Sequence, residues 1–238
     1  MHSLFLLTFG WKPCIIKLSK TGENIHENHS FSGGFYNRLR QRPQRPTWTR
    51  TRLPFFVASR LGFEHPEEYT VLNRAVSGNR VVDVYARIKA DIINLKPDVI
   101  SFLIGINDVW HEISRADGVD ALKFEKIYTM LLEEIRTALP QTKMILLAPY
   151  VLKGEATENT EEHPDRWNRF CMEVPKRIAA VERLGKKFDL SVIHLQEEFN
   201  RCAALPQNNS YWARDGVHPT KNGHELIARQ WLSLFQTL

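Results

Sequence analysis

No aspartate occurs in this chain before Asp83. Acids as a class are scarce there too: residues 1–53 hold nine Lys and Arg against Glu23 and Glu27 alone. Residues 54–238 carry 23 basic and 25 acidic side chains. The formal net charge of +5 and the pI near 9.1 therefore describe the opening segment and not the body. Cysteine is also sparse. Cys14, Cys171 and Cys202 are too few and too scattered for a disulfide framework or a zinc site, which points to a reducing, cytoplasmic setting. No run approaches the roughly 20 apolar residues of a membrane span. "SLFLLTFG" near the start lacks a positive n-region and a small-residue cleavage site, so it does not read as a signal peptide. A zinc-protease helix is missing as well: "HENHS", "HEISR" and "HELIA" each lack His at the fifth position.

What is present is a body with a regular pattern. At 238 residues and 43% hydrophobic content, one domain with a sizeable core is the default. Four short apolar runs read as strands: "YTVLNRAV" (69–76), "DVISFLIG" (98–105), "KMILLAPY" (143–150) and "SVIHL" (191–195). Between them the apolar period becomes helical. Val81, Tyr85, Ile88, Ile92 and Leu95 form one face, and Phe124, Ile127, Tyr128, Leu131, Leu132 and Ile135 a second. Trp167, Phe170, Cys171, Val174, Ile178 and Val181 form a third, with a kink expected at Pro175, and Ile227, Trp231 and Leu234 begin a fourth. Strands alternating with long helices predict an α/β domain whose parallel sheet is covered on both faces. In such a sheet, ligands bind outside the carboxyl ends of the strands.

Chemistry should therefore sit just after each apolar run. "DGVHPT" sets Asp215 and His218 three residues apart in a turn-like stretch, a spacing that can supply an imidazole base with an orienting carboxylate. An ordinary Asp/Gly/Pro turn would read the same way. "GIND" puts the side-chain amide of Asn107 at a strand end, where it could donate to an oxyanion or simply close the strand. "VSGNR" offers Gly78, whose backbone N–H could approach a substrate closely. Trp110 and His111 follow Asn107 and are candidates for a substrate pocket, with burial or helix capping as the plainer alternative.

Taken in order, "NRAVSGNRVVDVYAR", "KPDVISFLIGINDVWHE" and "DGVHPTKNGHELIA" resemble the second, third and fifth blocks of the SGNH (GDSL-type) hydrolases, above all bacterial arylesterase-like and carbohydrate acetylesterase-like members. The resemblance runs from about Pro54 to the C-terminus. It implies a three-layer α/β/α, flavodoxin-like sheet and serine esterase or acylhydrolase chemistry on a small-molecule ester, with no metal or other cofactor. It also implies Gly78 and Asn107 as oxyanion-hole residues and Asp215 and His218 as the acid and base. No nucleic-acid or membrane partner follows from it.

The block that would carry the nucleophile, Gly-Asp-Ser, is absent. Its place is taken by "FSGGFYNRLRQRPQRPTWTRTRLP" (31–54), with six arginines, three prolines and no acid. Phe31 to Arg40 can be encoded so that the frame one base later reads F-Q-G-D-S-I-T-D-C-G, and residues 41–54 so that it reads R-D-R-R-D-P-H-G-P-G-L-G-Y-P. The first of these is a block of the expected kind, and the second runs smoothly into "FFVASRLG". A shifted frame over residues 31–53 is thus expected. The nucleophile slot then falls on Phe35, with Ser30 and Ser32 nearby but off the slot. Residues 1–53 read as an irregular basic segment, out of frame or poorly ordered, and 54–238 as the hydrolase-like domain. The first strand of the sheet is accordingly doubtful, with "CIIKL" (14–18) a candidate to fill it. Two other readings stand beside this one: a non-catalytic pseudoenzyme that binds acylated sugars, and a polyanion- or nucleic-acid-binding protein using the arginine-rich segment.

Overall fold

A computed structural model describes residues 4–8 and 52–238. Five parallel strands form one sheet: β1 (Leu4–Thr8), β2 (Thr70–Asn73), β3 (Val99–Leu103), β4 (Lys143–Ala148) and β5 (Ser191–His194), in the order β2-β1-β3-β4-β5. That is the flavodoxin-like order, and it reverses direction between β1 and β3. Strands β2 to β5 coincide with the four apolar runs.

The place of the first strand is filled by Leu4–Thr8 and not by "CIIKL", which lies outside the described residues. β1 pairs with both β2 and β3, Leu6 standing in register with Leu72 on one side and Ile100 on the other. A short leucine-rich run suits a central parallel strand, which is covered on both faces and needs no polar alternation. Residues 31–51 of the arginine-rich stretch, Phe35 among them, also lie outside the described residues.

Side chains along the strands alternate between two cores. Val99, Leu103, Ile145, Leu147 and Ile193 pack with α1 (Leu53–Glu64), α7 (Leu195–Ala203) and α9 (Lys221–Phe235). Ile100, Phe102, Met144, Leu146 and Ala148 pack on the other face with α2 (Val81–Ala86), α3 (Ile88–Asp91), α5 (Ala121–Ala138) and α6 (Arg166–Phe188). The result is three layers. Ser101, fully buried in β3, accepts the indole N–H of Trp231 from α9 at 2.7 Å, so a polar residue in a central strand is satisfied.

Two elements depart from the expected pattern. The predicted helical face from Val81 to Leu95 is broken into α2, α3 and a short 3-10 turn at Ile93–Leu95. Lys96 then takes a left-handed conformation (φ 44°) ahead of Pro97, a position at which proline disfavours helix. The third expected face runs as one 23-residue helix, α6, with Pro175 inside it. α1 was hidden beside the basic stretch although Leu53, Val57 and Leu61 hold helical spacing and Pro54 sits in its first turn.

Candidate active site

Gly78 lies in the turn that leaves β2, at φ 80°, a backbone conformation that glycine adopts without penalty. Asn107 lies in the first turn of α4 (Ile106–Arg115), immediately after β3. α4 is capped by Gly105 at φ 125°, where an added Cβ would stand 3.2 Å from Pro149 and 3.3 Å from Phe124. The Asn107 amide, 1% exposed, donates to the carbonyl of Asn79 at 2.9 Å. One residue on, buried Asp108 accepts the N–H of Val81 through Oδ1 at 3.0 Å. These two bonds pin the loop carrying Gly78 onto α4, so the two predicted oxyanion residues are held together by side chains and not by sheet pairing alone.

Asp108, the last residue of "GIND", has no signal in the sequence that separates it from an ordinary turn residue. Burial, foremost, pushes its carboxyl up to about 7, against the opposing pull of the Val81 N–H and of Arg177 and Arg80 nearby. Its Oδ2 has no hydrogen-bond partner among the described residues.

Asp215 and His218 come from the loop before α9. His218 Nδ1 stands 2.5 Å from Asp215 Oδ2, and Asp215 Oδ1 accepts the His218 backbone N–H at 3.0 Å. Arg214 donates to Oδ2 at 3.1 Å. Burial works to raise the Asp215 pKa, but the hydrogen bonds from His218, its charge and Arg214 prevail. They hold the carboxyl well below the usual carboxylate range. An ionised carboxylate bonded to Nδ1 fixes the ring's tautomer and stabilises its protonated form, which is what a histidine base requires.

This loop is itself clamped. The carbonyls of Val217, Gly216 and Asp215 accept from Tyr150 Oη, Leu152 N and Ala156 N at 2.8, 2.8 and 3.0 Å, all from the segment that leaves β4. Val217 packs with Ile106 and Val109, the residues that flank Asn107 and Asp108 on α4. Gly216 adopts φ 100°, and a Cβ there would lie 2.4 Å from the Leu152 carbonyl. Gly216→Ala is expected to cost at least about 2 kcal/mol of stability, read by urea unfolding, because both the conformation and the contact are forbidden to alanine. An unchanged midpoint would mean that the loop is not held as described.

Gly78 and Asn107 thus share the carboxyl-end face of the sheet with Asp215 and His218. An open cleft of about 450 Å³ is lined by Gly78, Asn107, Trp110 and His111 together with Arg80, Asp83, Arg115 and Asp117. Asp215 and His218 are outside its lining. Arg80 and Asp83 lie in the block around Gly78 but carry no signal of their own, and Arg115 and Asp117 lie outside every quoted block. Arg80 reaches the Asp117 carbonyl 37 positions away, a proximity that only the fold creates. Among the described residues, no three His, Cys, Asp or Glu side chains gather as a metal site, no helix is long and apolar enough to cross a membrane, and Cys171 and Cys202 are free.

Comparison with known proteins identifies the family and the fold. Residues 30–226 match the GDSL-like Lipase/Acylhydrolase family. An acetylxylan esterase from Geobacillus stearothermophilus is 29% identical over 187 residues, covering 74% of this chain and 77% of that protein. The crystal structure of Axe2, an acetylxylan esterase of the same organism, aligns at 27% identity and a TM-score of 0.63, covering 76% of this chain and 80% of its own. The crystal structure of a GDSL-like lipase from Parabacteroides merdae aligns at 28% identity and a TM-score of 0.70, covering 77% of this chain and 81% of its own. The chain belongs to the GDSL-like lipase/acylhydrolase family and is, by family, an ester hydrolase.

Proposed function

We propose that the domain is built for hydrolysis of small carboxylic esters, O-acetyl groups on carbohydrate in particular, and that this chain lacks the nucleophile for it. The observation that carries the chemistry is the 2.5 Å Asp215–His218 pair, in a loop whose Val217 packs against Ile106 and Val109 on either side of Asn107 and Asp108. In a complete site, His218 takes the proton of a serine hydroxyl as it attacks the ester carbonyl. The oxyanion rests on the Gly78 N–H, the Asn107 amide and the serine's own N–H. The alcohol leaves with a proton returned by His218. Water, activated by the same ring, then hydrolyses the acyl-enzyme. Asp215 holds the ring and stays ionised throughout.

The carbohydrate reading draws on the cleft at Gly78 and Asn107. Arg80, Asp83, Arg115 and Asp117 offer donors and acceptors suited to hydroxyl groups, and Trp110 offers an aromatic face. The acetylxylan esterase relative points the same way. Phe35, in the nucleophile slot, has no hydroxyl with which to attack. A chain of this kind retains ester recognition without turnover, which is the behaviour of a pseudoenzyme.

The codons over residues 31–53 test the origin of the gap. A gene sequence whose frame one base later reads Gly-Asp-Ser across positions 33–35 is the expected result. Codons unable to give that reading would overturn the frameshift while leaving the missing nucleophile in place. Binding is tested separately: an acetylated xylo-oligosaccharide is expected to perturb Trp110 fluorescence saturably without releasing acetate. A Trp110→Phe variant identifies that signal, and absence of binding would argue against the cleft as the ester site.

A further inference from the structure

His111 stands one helical turn beyond Asn107 on α4, at the i, i+4 spacing that places two side chains on one face. Its Nε2 lies 3.8 Å from where a Cβ on Gly78 would be, so the ring borders the oxyanion loop. Nδ1 is turned the other way. It is buried, stands 3.4 Å from Asp117 Oδ1, and is outside hydrogen-bond geometry with that carboxylate. The site therefore holds a second Asp–His couple, facing the cleft from a helix distinct from the Asp215–His218 loop.

The protonation of this ring decides what it can do. Burial, foremost, lowers the His111 pKa; Asp117 and Asp83 oppose the shift, and Arg115 and Arg80 add to it. The ring is neutral near pH 7 and carries one N–H and one lone pair. A proton on Nδ1 faces the Asp117 carboxylate favourably, whereas a lone pair there would be repelled. Nε2 then presents its lone pair to the cleft. An acceptor cannot stabilise an oxyanion, which needs donors. It can receive a hydrogen bond from a hydroxyl.

We propose that His111, oriented by Asp117, is a specificity-determining residue that accepts a hydrogen bond from a hydroxyl neighbouring the ester, and so selects esters of polyols over esters with no such donor. The proposal rests on the cleft being the ester site, and its test separates the two claims. The full chain is titrated by ligand-observed NMR with two probes. One is a methyl xyloside bearing a single O-acetyl group beside a free hydroxyl; the other is the fully acetylated methyl xyloside.

The expected result is preference for the singly acetylated probe by about tenfold, the scale of one neutral hydrogen bond. His111→Leu abolishes the preference by weakening that probe alone. His111→Gln, which keeps an acceptor, restores part of it, and Asp117→Ala reduces it. A preference that survives His111→Leu, or equal weakening of both probes, overturns the proposal and leaves the ester site standing. Failure of the unaltered chain to bind either probe overturns both.

Discussion

Replacing residues 31–53 with FQGDSITDCGRDRRDPHGPGLGY raises hydrolysis of 4-nitrophenyl acetate by a factor on the order of 10⁴ or more over the chain as it stands. The replacement is one for one and puts a serine at position 35. Removing the nucleophile from a Ser-His-Asp site costs on the order of 10⁶ in kcat, so restoring it to a site whose other parts are in place should recover a large share. The carboxylate and imidazole are already bonded, and the loop carrying Gly78 is already pinned to α4 by Asn107 and Asp108. His218→Ala in the restored chain is expected to return activity to the starting level, because the serine then has no base. Asn107→Ala should cost about 10² to 10³, the effect of removing one oxyanion donor. It would also release the Asn79 carbonyl, so thermal unfolding is measured alongside. Restored activity that ignores His218→Ala would mean that another group acts as the base.

The second large effect concerns stability. The Asp108 carboxyl titrates near 7 in the folded chain and near 3.9 when unfolded. Between those values the folded state binds more protons than the unfolded state, so stability falls as pH rises, and the loss levels off above about 7. From pH 5 to pH 8 the group removes about 2 to 3 kcal/mol, at about 1.4 kcal/mol for each unit between pH 5 and its folded pKa. Asp108→Asn keeps an acceptor for Val81 N and has no charge to bury. Urea unfolding of both proteins at the two pH values is expected to show the variant gaining that amount on the wild type as pH rises. A difference independent of pH would place the Asp108 pKa outside this window. His224, whose pKa burial lowers to about 3 with Arg52 and His218 adding to it, gains stability for the fold as pH rises toward 6.5, but it is present in both proteins and cancels in their difference.

The parts of this molecule that announced themselves did so through periodicity. β3 and β4 are short, mostly apolar runs, and α5 and α9 each carry an apolar stripe long enough to recognise. α4 was missed for a physical reason: its first turn buries Asn107 and Asp108, polar residues satisfied by the loop after β2. Hydropathy cannot separate such residues from a surface turn. β1 escaped because a central parallel strand takes its partners from residues some 60 and 90 positions away, and nothing local to Leu4–Thr8 indicates them. Asp215 and His218 were legible as a pair because three residues of separation keeps them in one loop. Arg80, Asp83, Arg115 and Asp117 were not, since they meet only when the start of α2 is tied to Asp108 on α4 and to Asp117 just beyond it.

The central claim is that a family acid–base pair and oxyanion loop surround a position with no nucleophile. A fluorophosphonate that phosphonylates activated serines tests it most directly, with intact mass as the readout. The unaltered chain is expected to keep its mass after exposure, while the chain with residues 31–53 replaced gains one adduct at position 35. A stoichiometric adduct on the unaltered chain, lost in His218→Ala, would show that one of its own serines is the nucleophile and would contradict the account.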